Sequence, residues 1–426
     1  MKGKVALKFI LVLLCLVSTS SIAQFKVVGY LPTWLSPGTA INSVDLDKMT
    51  HINIAFFNPN NNTGATITGT STTQTDAVVT ACHAKNVKVF LSIGGATNAT
   101  VAQRYQAIIG SSGTAAKQTT FVTTLRDYVL NHNLDGIDVD IEGDILNGTY
   151  VNATQYESFV TELHDTLHKH NKEMSAALAR WFATRVNNTA AAKFDWINIM
   201  SYDAYLPSGN AGPHSPYSMA VSDLAFWKTN KGMPASKLTI GVPFYGYGWG
   251  TYATSDELTY CNIVNTYPTA EFYDQVGSDE DMISYNGLPT IRQKTTYALA
   301  NAAGIMIWQI TEDCPTSSPK SLLRAIDSLV HPQITAVTDP QLSQSQLNVF
   351  PNPTVHHMQV ELNLPTASNG SLLLCDLNGN VLQQLANGAL NAQTNYTITL
   401  ENYPAGLYIL KLSTDQGTLV RKIVKQ

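Results

Sequence analysis

The sequence is poor in charge, in cysteine and in long apolar runs. Asp, Glu, Lys and Arg make up 13% of its 426 residues, and the formal net charge is −5. There is no basic surplus to hold nucleic acid or an anionic membrane, so we expect neither partner. No stretch reaches about 18 consecutive apolar residues, so we expect no stable membrane span. Hydrophobic residues nevertheless reach 44%, which excludes a disordered chain.

The five cysteines include no Cys-x-x-Cys pair, so the sequence predicts no zinc site. It also contains no glycine-rich phosphate loop. We therefore expect neither a metal nor a cofactor.

The N-terminus has the pattern of an export signal. Basic residues precede the apolar run from Phe9 to Val17, and Ser21-Ile22-Ala23 then forms a small-x-small cleavage site. Residues 1–23 are therefore predicted to be a signal peptide, and export would permit disulfides.

Carboxylates alternate along the stretch from Asp135 to Glu142, which reads DGIDVDIE. On a strand, Asp138, Asp140 and Glu142 would share one face. Like charges at that spacing raise at least one pKa, as a general acid near neutral pH requires. A calcium loop is the alternative, but the β-branched residues between the acids favour a strand.

Short apolar segments alternate with helical patterns along the first three quarters of the chain. The candidate strands are 26–31, 51–57, 87–92, 135–142, 173–179, 195–202, 238–244 and 304–309. This alternation predicts an α/β fold, a (β/α)8 TIM barrel over residues 24–330, with catalysis at the carboxyl ends of the strands. Cys261 and Cys314 fall in loops on that face, and a disulfide between them is a testable expectation.

The stretch from Asp135 to Glu142 resembles the D-G-x-D-x-D-x-E signature of glycoside hydrolase family 18, the chitinases and related endo-acetylglucosaminidases. Other segments resemble strands of that family in the expected order: VVGY at 27–30, THINIAF at 50–56, SIGG at 92–95, MSYD at 200–203, GVPFYG at 241–246 and GIMIW at 304–308.

This resemblance implies substrate-assisted retention, in which the 2-acetamido group of the sugar attacks its own anomeric carbon and forms an oxazolinium intermediate. Glu142 would be the acid and then the base. Asp140 would orient the acetamido group and share a proton with Asp138, and Tyr202 would hydrogen-bond the acetamido oxygen. The implied sugar-binding residues are Trp308, Asp203, Met200, Tyr30 and Tyr245. Other aromatic residues near predicted strand ends, where outer subsites are expected, are Trp34, Trp181 and Trp249.

The chain departs from the family after Glu142, where Gly143-Asp144 replaces the usual aromatic residue and proline. The small glycine is expected to open the site, which favours a glycoprotein glycan. The insertion between 247 and 302 is shorter than in many members, which argues against a deep tunnel. We expect a secreted endo-acting chitinase that cuts β-1,4 linkages between N-acetylglucosamine units. The alternatives are an endo-β-N-acetylglucosaminidase acting on N-glycan cores and a non-catalytic chitin-binding lectin.

The composition changes after Val330. Residues 331–346 are polar and unpatterned, which predicts a linker. Short strands and an Asn378-Gly379 turn then predict a small β-sandwich over 347–426.

This tail resembles the C-terminal sorting domain of Bacteroidetes type IX secretion systems, through VFPNPT at 349–354, DLNG at 376–379, AGLY at 405–408 and RKIVK at 421–425. A sugar-binding module is the alternative, but no tryptophan follows Trp308 to stack on a sugar. The resemblance implies export through the periplasm, with the type IX machinery as partner, to the cell surface or the medium. We expect a monomer.

Overall fold

The structure is a computed structural model that describes residues 24–254, 257–332, 346–364, 366–376, 381–414 and 417–426. The predicted signal peptide, linker residues 333–345 and the Asn378-Gly379 turn lie outside the described residues. The chain divides after Pro332 into two compact units, called here the barrel unit and the C-terminal unit.

The barrel unit is built on a closed parallel sheet. Its described strands are β1 (Lys26–Pro32), β2 (His51–Pro59), β3 (Ile67–Thr68), β4 (Lys88–Gly94), β5 (Gly136–Asp140), β6 (Glu173–Leu178), β7 (Trp196–Ile199), β8 (Leu238–Pro243), β9 (Tyr245–Gly248), β10 (Leu258–Thr259), β11 (Gln275–Ser278), β12 (Asp281–Ser284) and β13 (Gly304–Trp308). Eight of them pair in parallel in the ring order β1, β2, β4, β5, β6, β7, β8, β13, and β13 pairs with β1. The predicted TIM barrel is confirmed.

Helices surround this ring. They are α1 (Pro37–Ala40), α2 (Thr72–His83), α3 (Ala99–Ile108), α4 (Ala115–Asn131), α5 (Ala153–His168), α6 (Asn188–Lys193), α7 (Tyr217–Thr229), α8 (Tyr260–Thr266), α9 (Leu288–Asn301) and α10 (Leu322–Val330). The helix α5 shows why they form. Its residues Tyr156, Phe159, Val160 and Leu163 are buried on one face. Asn152 and Gln155 form a reciprocal capping box at its start.

Two barrel strands end earlier than the sequence pattern predicts. The strand β5 stops at Asp140 instead of Glu142, and β7 stops at Ile199 instead of Tyr202. The last ladder contact of β5 is the N–H of Gly95 donating to the Asp140 carbonyl at 2.7 Å, after which the Glu142 carbonyl accepts from Leu146. The local turn therefore supplies hydrogen-bond partners for backbone groups that the sequence pattern assigned to the sheet.

The described part of the insertion after β8 contains a small antiparallel sheet and the helix α8. The strands β9, β10, β11 and β12 form a four-stranded sheet in the order β10-β9-β12-β11. A disulfide joins Cys261 in α8 to Cys314 beyond β13, as the sequence led us to expect. Cys82 and Cys375 are buried free thiols.

The C-terminal unit is all β. Its described strands are β14 (Leu347–Phe350), β15 (His357–Asn363), β16 (Ser368–Cys375), β17 (Val381–Leu390), β18 (Gln393–Thr399), β19 (Gly406–Thr414) and β20 (Gly417–Lys425). They form sheets of order β14-β15-β18 and β17-β16-β19-β20. Apolar residues from both sheets share one core, for example Val360 and Leu410. The predicted small sandwich is confirmed. In the part of the chain that the structure describes, no helix has the length and apolar character needed to cross a bilayer.

Candidate active site

A cavity of about 280 Å³ lies at the carboxyl ends of the barrel strands. Parallel barrels place their strand-end loops around one such mouth. The cavity is lined by Trp34, Phe56, Ala96, Asp140, Glu142, Met200, Tyr202, Asp203, Tyr247, Glu257 and Trp308.

Asp138 lies below this cavity and is fully buried. Its carboxylate accepts four side-chain hydrogen bonds. Tyr30 Oη and Ser92 Oγ donate to Oδ2, both at 2.7 Å. Ser175 Oγ and Asn198 Nδ2 donate to Oδ1 at 2.6 and 3.3 Å. Burial raises the pKa of Asp138, and the four donors oppose that rise.

Asp140, two residues further along β5, is 3% exposed. Unlike Asp138, it has a buried Oδ1 with no hydrogen-bond partner. Burial, with the nearby Glu142 and Asp138 carboxylates, raises the pKa of Asp140 well above its usual value. A buried polar atom without a partner costs free energy, so Asp140 is suited to receive a hydrogen bond from a bound molecule.

Glu142 follows β5 and reaches the cavity wall. Burial raises the pKa of Glu142 to about 7, and the carboxylates of Asp144 and Asp203 add to the rise. A carboxyl group with that pKa is about half protonated near pH 7, and the protonated form is the state that a general acid needs.

Residues just after β7 form another part of the cavity wall. The Tyr202 hydroxyl contacts only a weak acceptor among the described residues, Met306 Sδ at 3.8 Å. Asp203 has left-handed backbone geometry, with φ of 63°, which turns the chain at the cavity edge. Its Oδ1 accepts a 2.5 Å hydrogen bond from the Tyr245 hydroxyl and lies 3.6 Å from Nδ1 of the buried His214.

Aromatic rings form the base of the cavity. Trp308, the last residue of β13, stacks on Phe56 with ring centroids 5.6 Å apart and an interplanar angle of 18°. Trp34 packs against the same indole at 6.5 Å. Because the apolar face of a pyranose packs well on an aromatic ring, this surface is suited to a sugar.

The structure brings most of the predicted site residues to one place. Asp140, Glu142, Met200, Tyr202, Asp203 and Trp308 line the cavity. Two predicted sugar-binding residues do not line it. Tyr30 and Tyr245 are both 1% exposed, and their hydroxyls are used on Asp138 and Asp203. Both therefore contact site carboxylates instead of the cavity.

The sequence analysis missed several cavity residues, namely Phe56, Ala96, Tyr247 and Glu257. Phe56 ends the segment THINIAF, and its position after a barrel strand was an available signal. Glu257 lies in the insertion after β8, where no strand pattern marks a residue as facing the cavity.

The expectation that Gly143 opens the site was wrong, because the indole of Trp181 fills the space beside it. A Cβ placed on Gly143 would lie 2.1 Å from Trp181 Cη2. Within the described ranges, no group of three His, Cys, Asp or Glu side chains is disposed to hold a metal ion.

Comparison with known proteins places this geometry in a family. The sequence model of glycosyl hydrolases family 18 matches residues 26–313, which is more than half of the chain. The chain belongs to glycosyl hydrolase family 18. Residues 348–426 match the model of the secretion system C-terminal sorting domain.

Family 18 members of known structure share the barrel. The crystal structure of the GH18 chitinase ChiB from the chitin utilization locus of Flavobacterium johnsoniae is similar, with a TM-score of 0.63 and 33% identity, over 72% of this chain and 94% of that one. A chitinase-like effector of Moniliophthora roreri is 30% identical over 56% of this chain and 64% of its own length. Chitinase A1 of Niallia circulans is 24% identical over 68% of this chain and 57% of its own length. The chain thus spans less than two thirds of these two relatives.

Proposed function

We propose that this protein is an endo-acting chitinase that hydrolyses β-1,4 linkages between N-acetylglucosamine units by substrate-assisted retention. The observation that carries the proposal is the buried, unpartnered Oδ1 of Asp140 beside the protonatable Glu142. An acetamido N–H is the kind of donor that Asp140 lacks, and the glycosidic oxygen is the acceptor that Glu142 can protonate. The similarity to a solved family 18 chitinase supports the same substrate class.

In the first step, Glu142 transfers its proton to the bridging oxygen while the sugar's own acetamido oxygen attacks the anomeric carbon. The bond to the leaving sugar breaks, and an oxazolinium ion forms. In the second step, the Glu142 carboxylate takes a proton from a water molecule as that water attacks the anomeric carbon. The attack opens the oxazolinium ring and restores the acetamido group. Two inversions retain the configuration at the anomeric carbon.

Asp140 and Tyr202 act on the acetamido group. The Asp140 carboxylate accepts a hydrogen bond from the acetamido N–H and stabilises the positive charge that develops on the oxazolinium ring. The Tyr202 hydroxyl donates to the acetamido oxygen and aims it at the anomeric carbon. Asp138, held by its four donors, lies two residues earlier on β5, where its carboxylate raises the pKa of Asp140 and the two groups share a proton during the reaction.

A second cavity of about 870 Å³ adjoins the first and shares Trp34, Tyr247 and Glu257 with it. A groove that continues past the reacting sugar accepts further units of a chain. This continuity supports cleavage within a polymer, and the position of Trp308 in the first cavity supports its role as the platform for the reacting sugar.

The matched sorting domain indicates export to the cell surface or the extracellular space. We propose a signal peptide at 1–23, a catalytic domain at 24–330, a linker at 331–346 and a sorting domain at 347–426. The full route then runs through the periplasm, with the type IX machinery as partner, and the mature protein acts as a monomer.

Product analysis on colloidal chitin beside a high-mannose glycoprotein tests the activity. We expect soluble chito-oligosaccharides whose anomeric centre is initially β by NMR, and an intact glycoprotein. Release of the glycan with chitin untouched would instead identify an endo-β-N-acetylglucosaminidase. Binding of chitin with no product from either substrate would identify a lectin.

A further inference from the structure

Trp181 is unusually exposed for a tryptophan on a well-packed segment. It lies in the 3-10 helix Arg180–Arg185, which directly follows β6. Its side chain is 66% exposed, whereas the next residue, Phe182, is fully buried. Single exposed apolar residues are common on protein surfaces, so exposure alone does not identify a site.

The position of the ring gives the second observation. The Trp181 indole lies against Gly143, close enough that any Cβ on that residue would collide with it. Gly143 is the residue that follows Glu142. The absence of a side chain at 143 therefore brings an exposed indole next to the proposed acid.

Side-chain contacts anchor the 3-10 helix that carries this ring. Trp181 packs edge-on against Phe182 with centroids 4.8 Å apart. Arg180 lies over the Phe226 ring at 5.3 Å, and Arg185 Nη1 donates to the Leu146 carbonyl at 3.0 Å. A ring carried on an anchored segment loses less conformational entropy on contact with a ligand than a ring on a mobile loop does.

The ring order of the barrel shows where Trp181 lies relative to the other aromatic surface. The strands β1 and β6 are four steps apart in either direction around the eight-stranded ring, so they are diametrically opposite. Trp34 follows β1 and contacts Trp308, whereas Trp181 follows β6. Exposed indoles thus lie on opposite sides of the barrel mouth, with Glu142 beside the second.

We propose that Trp181 is the stacking platform for the sugar on the leaving-group side of the scissile bond. The inference rests on the proposed function. The sugar whose acetamido group reacts occupies the cavity with Asp140, Tyr202 and Trp308. Glu142 protonates the oxygen that joins it to the next sugar, so that sugar lies past Glu142. The apolar face of the leaving sugar then packs on the Trp181 indole.

Trp181→Ala tests the proposal through readouts specific to the leaving side. We expect kcat/KM on chitohexaose to fall about 5- to 20-fold, as for loss of one stacking contact. Transfer of the intermediate to added chitobiose, which must occupy the same position, should fall relative to hydrolysis. Inhibition by a chitobiose-derived thiazoline, which occupies only the other side, should be unchanged. Trp181→Phe should restore most of the loss.

Leu130→Ala is the matched control, because Leu130 is 38% exposed near the C-terminal end of α4, away from the barrel mouth. It should change none of these values. Active wild-type protein with an unaffected Trp181→Ala variant overturns the platform and leaves the proposed function intact. Weakened thiazoline inhibition in Trp181→Ala also overturns it, because Trp181 would then influence binding of the reacting sugar and not only of the leaving sugar. A wild type inactive on every chito-oligosaccharide overturns both proposals.

Discussion

The two units of this protein bury different kinds of side chain. The barrel unit buries charged or titratable groups, including Asp138, Asp140, His214 and Lys294, all no more than 3% exposed. Among the described residues of the C-terminal unit, the buried polar side chains are Thr354 and Ser368. Both units are well packed, so compactness does not require buried charge.

Burying charge costs free energy unless partners compensate. Lys294 shows how the barrel unit meets that cost: its ammonium donates to the carbonyl and hydroxyl of Ser215 and to Asn286 Oδ1. Burial still lowers the pKa of Lys294 to about 7. Asp140 is less well compensated. The comparison teaches that the described residues of the C-terminal unit form a compact core without buried ionic side chains, whereas the barrel unit buries several and leaves the Asp140 Oδ1 without a partner.

The largest effect should come from removing the proposed acid. Glu142→Gln should lower kcat on chito-oligosaccharides by about 10²–10⁴-fold, because the amide has no proton to transfer. The matched change in the C-terminal unit, Glu361→Gln, should leave kcat unchanged. Steady-state kinetics with a thermal melt of each variant measures both. Equal kcat values for the two variants would contradict the proposal that the barrel unit carries the catalytic acid.

The next largest effect should come from Asp140→Asn. The variant keeps the side-chain volume but loses the charge that we propose stabilises the oxazolinium, and we expect kcat to fall about 10²–10³-fold. Thiazoline inhibition should weaken in parallel, because that compound resembles the intermediate. Asn369→Asp in the C-terminal unit is the reverse control and should change neither value. Unaltered inhibition in Asp140→Asn would argue against acetamido participation.

A smaller effect concerns pH. As the proposed acid, Glu142 would have to be protonated to act, so activity should fall as the pH rises through about 7. Asp144, an exposed carboxylate, raises the pKa of Glu142. Asp144→Asn should therefore move the alkaline limb of kcat/KM to lower pH, by less than about one unit, and high salt should reduce the difference. Asp127→Asn on α4 should not move the limb, and an upward shift in Asp144→Asn would contradict this assignment.

The smallest effect on catalysis should come from deleting the C-terminal unit. A chain ending at Pro332 keeps every strand of the barrel and every proposed site residue. It should hydrolyse soluble chito-oligosaccharides with unchanged kcat/KM, yet remain inside the native host. Cell fractionation with an activity assay measures both. Undiminished export would remove the sorting role, and weaker retention on insoluble chitin would favour a sugar-binding module.

Much of the fold could be predicted because its signals are local. Parallel barrel strands are buried on both faces and appear as short apolar runs, so all eight were found. The ends of β5 and β7 were not, because the chain turns where Glu142 and Tyr202 leave the sheet. Apolar pattern alone does not show where a turn takes over the backbone hydrogen bonds.

The residues of the candidate site could likewise be predicted where the signal is local in the sequence. Asp138, Asp140 and Glu142 are close in sequence, and their spacing places them on one strand end. The contact between Trp181 and Gly143 joins different loops and appears only in three dimensions. Sequence reasoning interpreted the glycine as open space for that reason. The sequence analysis predicted that Tyr30 and Tyr245 bind the sugar. Their order in the chain does not show that their hydroxyls donate to Asp138 and Asp203.

The four side-chain donors to the Asp138 carboxylate make the candidate site depend on how far the barrel has folded. Its donors come from β1, β4, β6 and β7, through Tyr30, Ser92, Ser175 and Asn198. No half of the ring contains all four together with β5. Any four-stranded half of the ring would thus leave Asp138 without at least one of the donors that satisfy it in the finished barrel. We therefore expect hydrolytic activity to require that the strands from β1 to β7 have assembled around Asp138, so that chains with half of the barrel unformed remain inert.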